Sequence, residues 1–595
     1  LNPGEHEVPP PLPSEPWREG SQARVAVATV FLDYALMCQE GFLSLLEEIA
    51  GNVSQLYEAG RIRPGERNLL MDGILASAVT GSPQLQETVI DWSLQMTKAS
   101  WASASVQQAI SGPESFVKTY LPTRMEGSDV RVGGAKERYR MNHELHHIER
   151  TMRRMATDCS RQVLTKHMMW VVPHSLQVLL CISALTTARG RELLGPAVGI
   201  LDLSQQEKAL YLRRVGVRLA PVPGDANAGD YSSVGGETVS SARGWLRHCM
   251  EYVAHFLGLL TSVVPACLST IPKLNEAGSL IYSHVESMDH RILRIFVRHL
   301  TIPAVRDCPA EHMAAWVLPS LSILAPHMKV RLATAWQSLN PAALGQDGFP
   351  QVSAHGQFSA HGAPQVNDED VINDRLVREL SGEYADLLKA VADRQSQVPL
   401  LQNFFVADPQ GGLALAHAAL EGMLRPDESA YRFAFFCKAL VQLAPSDAAL
   451  YQFVGSELLY TAISSLSLEV MACRHSEVLA MIRDIVMQQV DDPQSQVHKV
   501  LPMLPGVGPE NLAAFFTAMK STRSDKEQRN QVKLFLLSSG GTGAFTALEK
   551  WKPPGGASTV QGVKKRPARV PKSQAEAEAD DHLSGEITRH LLSST

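Results

Sequence analysis

ATVFLDYALMCQEGFLSLLEEIAGNVSQLYEA, residues 28–59, decides how the rest of the chain is read. Val30, Tyr34, Met37, Phe42, Leu45, Ile49 and Val53 recur mostly at spacings of three and four, an apolar stripe with the period of an α-helix. The same pattern continues outward. Pro64 and Gly65 punctuate the start of a helix carrying Leu69, Leu70, Ile74 and Leu75, and Ser82-Pro83 opens another through Val89, Ile90, Trp92 and Leu94. Further helices are predicted near 136–158, 160–188, 204–215, 240–262, 264–286, 288–302, 309–324, 326–339, 369–394, 411–424, 428–444, 447–464, 475–490, 509–520 and 525–538. No convincing strand is expected, because β-branched pairs such as Val171-Val172 lie inside helical patterns. Serial helices with short turns, about 40 residues per pair, predict an all-α fold. The expected architecture is a HEAT-repeat-like α-solenoid, a superhelical array of antiparallel helix pairs. A large irregular helical domain is the plainer alternative.

Three segments interrupt the periodicity. Residues 221–239 form a Gly/Ser/Asp-rich loop, 341–368 carry SAHG twice, and from about Pro553 the chain turns Pro/Gly-rich, then basic, then acidic and Ala-rich. The expected organisation is a disordered segment over 1–20, helical repeats over 21–340, a low-complexity linker over 341–368, helical repeats over 369–550 and a disordered tail over 551–595. The chain opens on Leu1 with no basic-then-apolar leader, and it is read as a fragment with no signal peptide.

Of 595 residues, 45% are hydrophobic and 19% charged, which is the composition of a chain with a real core. The net charge of -6 excludes a generally basic nucleic-acid binder, so any RNA contact must be local. Eight cysteines without a CxxC pair, several in apolar runs as Cys181 is, point to free thiols in a reducing compartment. No run of about 18 apolar residues suggests a membrane span.

The one catalytic-looking motif is His143-Glu144-Leu145-His146-His147, an HExxH pattern that could hold zinc. The residues before it, Lys136 to Arg140, read as a charged face rather than a buried zinc helix, and Arg150 and Arg153 stand where a metzincin has glycine and its third histidine. No phosphate loop, serine elbow or carboxylate pair accompanies it, so no enzyme, cofactor or metal is expected.

Basic clusters are more informative. From Arg131 to Lys166 nine cations face four carboxylates, among them Arg150, Arg153 and Arg154. Arg291, Arg294 and Arg298 fall three and four apart on one helix face, with Ile292, Ile295 and Phe296 toward the other. Lys329 and Arg331 follow. These eight are the candidate RNA-binding residues, as a stripe that tracks phosphates by charge. An ordinary solvated helix face is the competing reading. Lys564-Lys565-Arg566 has the look of a nuclear localisation patch, or of a solubilising run.

Several motifs in collinear order resemble the C-terminal half of the exportin-5/HASTY family. They are Gly65-Glu66-Arg67-Asn68 with Trp92 and Trp101, Met168-Met169-Trp170-Val171-Val172-Pro173, Leu201 to Tyr211, and Gly244-Trp245-Leu246. The strongest stretch is Arg291 to His299, Cys308-Pro309-Ala310-Glu311-His312 and Trp336-Gln337. Arg375 to Leu380 follows, and Leu501 to Leu504, Pro509 and Ser524 to Arg529 resemble the plant branch. The likeness spans roughly residues 40–550; the 341–368 insertion and the tail depart from it.

The resemblance implies a nuclear export receptor of the importin-β superfamily. Such a receptor carries structured small RNA, such as precursor microRNA, with protein cargo as a further class, from nucleus to cytoplasm with Ran-GTP. It also implies contacts with nuclear pore proteins and no membrane association. The main Ran site would lie in N-terminal repeats outside this chain. The runner-up is a HEAT-repeat scaffold that binds only protein partners; a zinc hydrolase is the third possibility.

Overall fold

The structure, a computed structural model, describes residues 15–156, 161–213, 237–339, 367–395, 397–427, 429–504 and 506–539. It divides into two compact units between Val317 and Leu318. Among the described residues almost every element is helical, in keeping with the helical solenoid expected from the periodicity.

In the first unit one layer is built from helices lying side by side. Glu15–Met37 packs on Pro64–Ala78, which packs on Ala135–Arg154, which packs on Val239–Val263. The last of these meets His290–Phe296, the five-residue π turn Val297–Thr301 and Ile302–Asp307. Helices Pro83–Ala102, Arg161–Met168, Pro113–Tyr120 and Val171–Ala184 lie behind it. The second unit repeats the plan: Asp368–Gln395, Ala430–Leu443, His475–Gln489 and Asp525–Ser539 are successive neighbours, backed by Pro409–Met423 and Leu459–Ser465.

Local chemistry accounts for many of the helix starts. Ser82, Thr187, Asp289, Asp408 and Asp447 each accept a backbone N–H with the side chain, and Arg63 and Glu66 close a capping contact at 2.9 Å. Trp245 is fully buried and stacks on Phe116 and Tyr120, ring centres 5.8 and 5.5 Å away, which seats the 239–263 helix on the 113–120 helix.

Several expectations need correction. A short antiparallel hairpin is present, Thr123–Glu126 with Asp129–Val132, turning at Gly127, whose φ is 65°. Its strands are four residues each and bury only Val132, so neither alternation nor length announces them. The first part of the 28–59 stripe faces the wrong way: Val30, Tyr34 and Met37 are 51%, 54% and 71% exposed, while Ala28, Leu32 and Ala35 are buried; further along, Val53 is buried as expected and Phe42 and Ile49 are half-buried. The helix beside it carries Gly73, where an added Cβ would lie 2.5 Å from the Phe31 ring, so the contact selects small residues rather than large ones.

Helix boundaries also move. The 160–188 stretch breaks between Met168 and Val171, and 264–286 breaks at Pro272, where Lys273 has a φ of 53°. Two helices expected over 309–339 are one, Ala310–Leu339, with Pro319 and Pro326 inside it. The first helix begins at Glu15, within the segment expected to be disordered. Most of the 221–239 loop, the 341–368 linker but for its last two residues, and the 551–595 tail lie outside the described residues.

Cys181, Cys249, Cys267, Cys308 and Cys437 are free and buried, whereas Cys38 and Cys473 are exposed; Cys159 lies outside the described residues. Among the described residues no single helix is long and apolar enough to cross a membrane.

Candidate nucleic-acid interface

The HExxH segment lies on the 135–154 helix, an interior member of its layer, and the supposed charged face before it is in part core. Arg138 is fully buried and donates to the carbonyls of Tyr120 at 2.7 Å, Val132 at 3.2 Å and Gly133, tying the hairpin to the helix. Tyr139 is buried beside it and its ring meets His143 at 4.4 Å. Three of the motif's polar side chains are engaged elsewhere. Glu144 accepts from Trp101 Nε1 at 2.7 Å, His146 accepts from Arg150 Nε at 3.1 Å, and His147 Nε2 donates to the Ser93 carbonyl at 3.0 Å. Among the described residues no group of three metal-ligating side chains is placed to hold an ion. These contacts, rather than an exposed charged face, are what argue against zinc.

The eight cationic candidates divide into three sets. Arg150, Arg153 and Arg154 close the C-terminal end of the 135–154 helix and grip two buried carboxylates. Arg154 holds Asp72 through Nε at 2.6 Å and Nη2 at 3.2 Å, and Arg150 approaches the same group at 3.6 Å. Glu149 receives His255 Nδ1 at 2.8 Å, Arg153 at 3.7 Å and Arg150 at 3.9 Å. Asp72 and Glu149 are nearly inaccessible, so these pairs tie the 64–78, 135–154 and 239–263 helices into one layer.

Arg291, Arg294 and Arg298 sit on the neighbouring element of that layer. Arg291 is bound to Asp289 at 2.6 Å and to the Leu201 carbonyl at 2.6 Å, which makes it an anchor for the helix start. Arg294 and Arg298 are half-buried and lie within electrostatic reach of Glu251 and His299. Ile292 and Phe296 point inward as expected. Lys329 and Arg331, both half-buried, belong to the second unit, where Lys329 faces His417 and Glu421.

The first unit therefore brings six of the eight onto adjacent helices, bridged by the 239–263 helix. That bridge supplies residues the sequence pattern did not single out: Arg247 pairs with Glu207 at 3.0 Å and approaches Glu251 at 3.6 Å, and the His255 ring lies 5.6 Å from His299. Gly258 makes the last contact possible. A Cβ there would sit 2.0 Å from the His299 carbonyl oxygen, so only glycine lets the π turn come this close. Arg247, His248, Glu251 and His255 do recur at helical spacing within residues 247–255, which was the available signal.

Five histidines of this layer are held neutral by burial. Burial pushes His143 down to about 4, and His146, His147, His248 and His299 down to about 3. Burial alone would raise the Glu149 carboxyl, but the His255 hydrogen bond and the nearby arginines bring it to about 2. The unfolded chain binds these protons near pH 6.5 for histidine and 4.5 for glutamate, so it takes up more protons than the folded chain on acidification. The stability of the first unit is accordingly full above about pH 6.5 and falls steadily toward pH 3. Urea midpoints at pH 7.5, 6 and 5 test this; a midpoint unchanged down to pH 5 contradicts it.

The Exportin-5 family model matches residues 14–551, nearly the whole described chain. The chain belongs to the Exportin-5 family. Protein HASTY 1 of Arabidopsis thaliana is 23% identical over 589 residues, covering 93% of this chain and 48% of HASTY 1. Exportin-5 of Dictyostelium discoideum is 21% identical over 262 residues, 43% of this chain and 21% of that protein. The chain thus spans about half the length of HASTY 1, or less of the other relative. The Exportin-5 match extends further toward the N-terminus than the motifs reached, taking in the 15–37 helix.

Proposed function

We propose that this chain is part of a nuclear export receptor that carries structured RNA from nucleus to cytoplasm with Ran-GTP, and that it has no catalytic activity. Membership of the Exportin-5 family supports the transport role. The observation that carries the RNA part is the cationic layer of the first unit, where Arg153, Arg294, Arg298 and Arg247 gather on adjacent helices of an acidic chain. Helical RNA offers phosphates and 2′-hydroxyls rather than readable base edges, and a row of guanidinium groups suits that target. Ran-GTP and cargo stabilise one another's binding if both favour the same closed arrangement of the receptor. Nuclear pore proteins complete the set of partners.

The arginines do not all play the same part in this reading. Arg154, Arg150 and Arg291 are engaged by Asp72, Asp289 and the Leu201 carbonyl, while Arg153 is 46% exposed beside Glu149; Arg153, Arg294 and Arg298 are taken as the phosphate contacts to test. The double substitution Arg294→Glu and Arg298→Glu is expected to weaken hairpin-RNA binding by 10-fold or more, as order of magnitude, and to flatten its salt dependence by about two counterions. Fluorescence anisotropy at several salt concentrations measures both; unchanged affinity and slope would remove these residues from the interface. The runner-up, a scaffold for protein partners only, predicts no measurable RNA affinity at low salt.

A further inference from the structure

We propose that the 430–443 helix of the second unit carries a stacking platform for a single-stranded segment of RNA, centred on Phe435 and Tyr431. This rests on the RNA reading above and extends it from duplex phosphates to unpaired bases.

The helix is apolar on two sides. Phe433, Phe436, Cys437 and Leu440 are buried, whereas Phe435 is 44% exposed and Tyr431, one turn earlier, is half-buried. Tyr431, Phe435 and Lys438 fall four and three residues apart, so they share the solvent face of the helix. A single exposed aromatic ring is ordinary. Here both rings are met by cations from neighbouring elements. The Lys389 ammonium, on the 368–395 helix, stands 5.8 Å from the centre of the Phe435 ring. The Arg474 guanidinium, at the end of the turn Glu469–Arg474, stands 5.2 Å from the Tyr431 ring, and Arg432 stands 6.0 Å from it.

The carboxylates nearby claim the arginines rather than the lysines. Arg432 is paired with Asp386 at 3.0 Å and Arg474 with Glu477 at 2.7 Å, so these two edge the platform. Lys389 and Lys438 are exposed and form no ion pair among the described residues, although Asp386 and Asp393 lie about a turn to either side of Lys389 along its helix. Gly382 leaves the surface beside Arg432 open: a Cβ there would meet nothing nearer than Arg432 Nη1 at 3.8 Å.

An unpaired nucleotide offers what this surface can use. Its base has a π face that stacks on an aromatic ring whatever the sequence, and its phosphate meets an ammonium. A lysine displaced from the Phe435 ring by a base stays within reach of that nucleotide's phosphate. A duplex keeps its base faces inside its own stack, so the platform selects single-stranded segments. A docked protein helix suits the face less well, because it needs a run of apolar anchors to meet, and here aromatic and charged side chains alternate.

The probe is a fluorescein-labelled ten-nucleotide oligouridine, with a blunt-ended hairpin RNA as the comparison, both measured on the whole chain by fluorescence anisotropy. Phe435→Ala is expected to weaken oligouridine binding by about 5-fold or more, and to leave the hairpin affinity and the circular dichroism unchanged. Phe435→Trp, which keeps a stacking ring, is expected to retain the affinity. Lys389→Gln with Lys438→Gln is expected to reduce the salt slope for oligouridine by about 1.4. Oligouridine affinity unchanged in Phe435→Ala, or lost equally in Phe435→Trp, overturns the proposal. So does an oligoglutamate peptide of equal charge that competes as well as oligouridine, since it would show a surface that reads charge alone. Binding of the hairpin without oligouridine overturns the platform and leaves the RNA reading standing; binding of neither removes both.

Discussion

Arg154→Ala lowers the unfolding free energy of the first unit by about 3 kcal/mol, the cost of leaving a buried carboxylate without its main partner. Asp72 is 2% exposed and its bidentate partner is Arg154; the remaining cation, Arg150, stands 3.6 Å away. Asp72→Ala is expected to cost a similar amount, because it strands two half-buried guanidinium groups. The double variant should cost less than the sum, since each change removes the other's unpaired charge. Urea denaturation followed by tryptophan fluorescence measures the cycle. A loss under about 1 kcal/mol for Arg154→Ala would place the residue on an ordinary solvated face, where pairs contribute little. The same result bears on function: RNA binding lost in Arg154→Ala reports a loosened layer, not a lost phosphate contact.

Trp245→Ala is expected to cost about 3–5 kcal/mol, the range for deleting a large aromatic from a packed core. Trp245 is fully buried between the Phe116 and Tyr120 rings, and it fixes the first turns of the helix that later carries Arg247, Glu251 and His255. Its loss should therefore lower stability and RNA affinity together, whereas Trp245→Phe keeps most of the stacking and should cost less than half as much. Thermal denaturation of both variants checks this. Equal effects of Ala and Phe would mean that the site tolerates the cavity and that the stack does not position the helix.

How much of this was legible in the residues follows from range. Helices announce themselves within 10 to 20 residues, and capping side chains such as Ser82 and Asp289 sit beside the turn they close. Which face of a helix is buried is set by its neighbour, and there the reading failed at Val30, Tyr34 and Met37. Apolar periodicity weighs large side chains, but Gly73 opposite Phe31 made a close contact that buries Ala28 and Ala35 instead. The hairpin was hidden because strands of four polar-rich residues have no period to detect, and it is held by Arg138 from another element.

The arginines show the same limit. Their clustering was visible, and the first unit does place six of them on adjacent helices. The carboxylates that claim them were not foreseeable, since Asp72 lies 82 residues from Arg154 and Glu149 is bound by His255 on a third helix. Charge counted along the chain thus overstates the cations available to RNA, by those already spent on packing. The HExxH motif is the converse case: a catalytic spacing that arises where histidines fill a helical interior, with His147 bonded to Ser93 through Nε2 and Glu144 to Trp101.

The most direct test of the export reading is the affinity of a hairpin RNA with a 3′ overhang, measured with and without GTP-loaded Ran. It is made on this chain carried in a receptor of its relatives' full length. RNA binding that tightens at least 10-fold, as order of magnitude, when Ran-GTP is present is the predicted result, the size of a coupling free energy of 1–3 kcal/mol. RNA affinity that is absent, or the same with and without Ran-GTP, would contradict it.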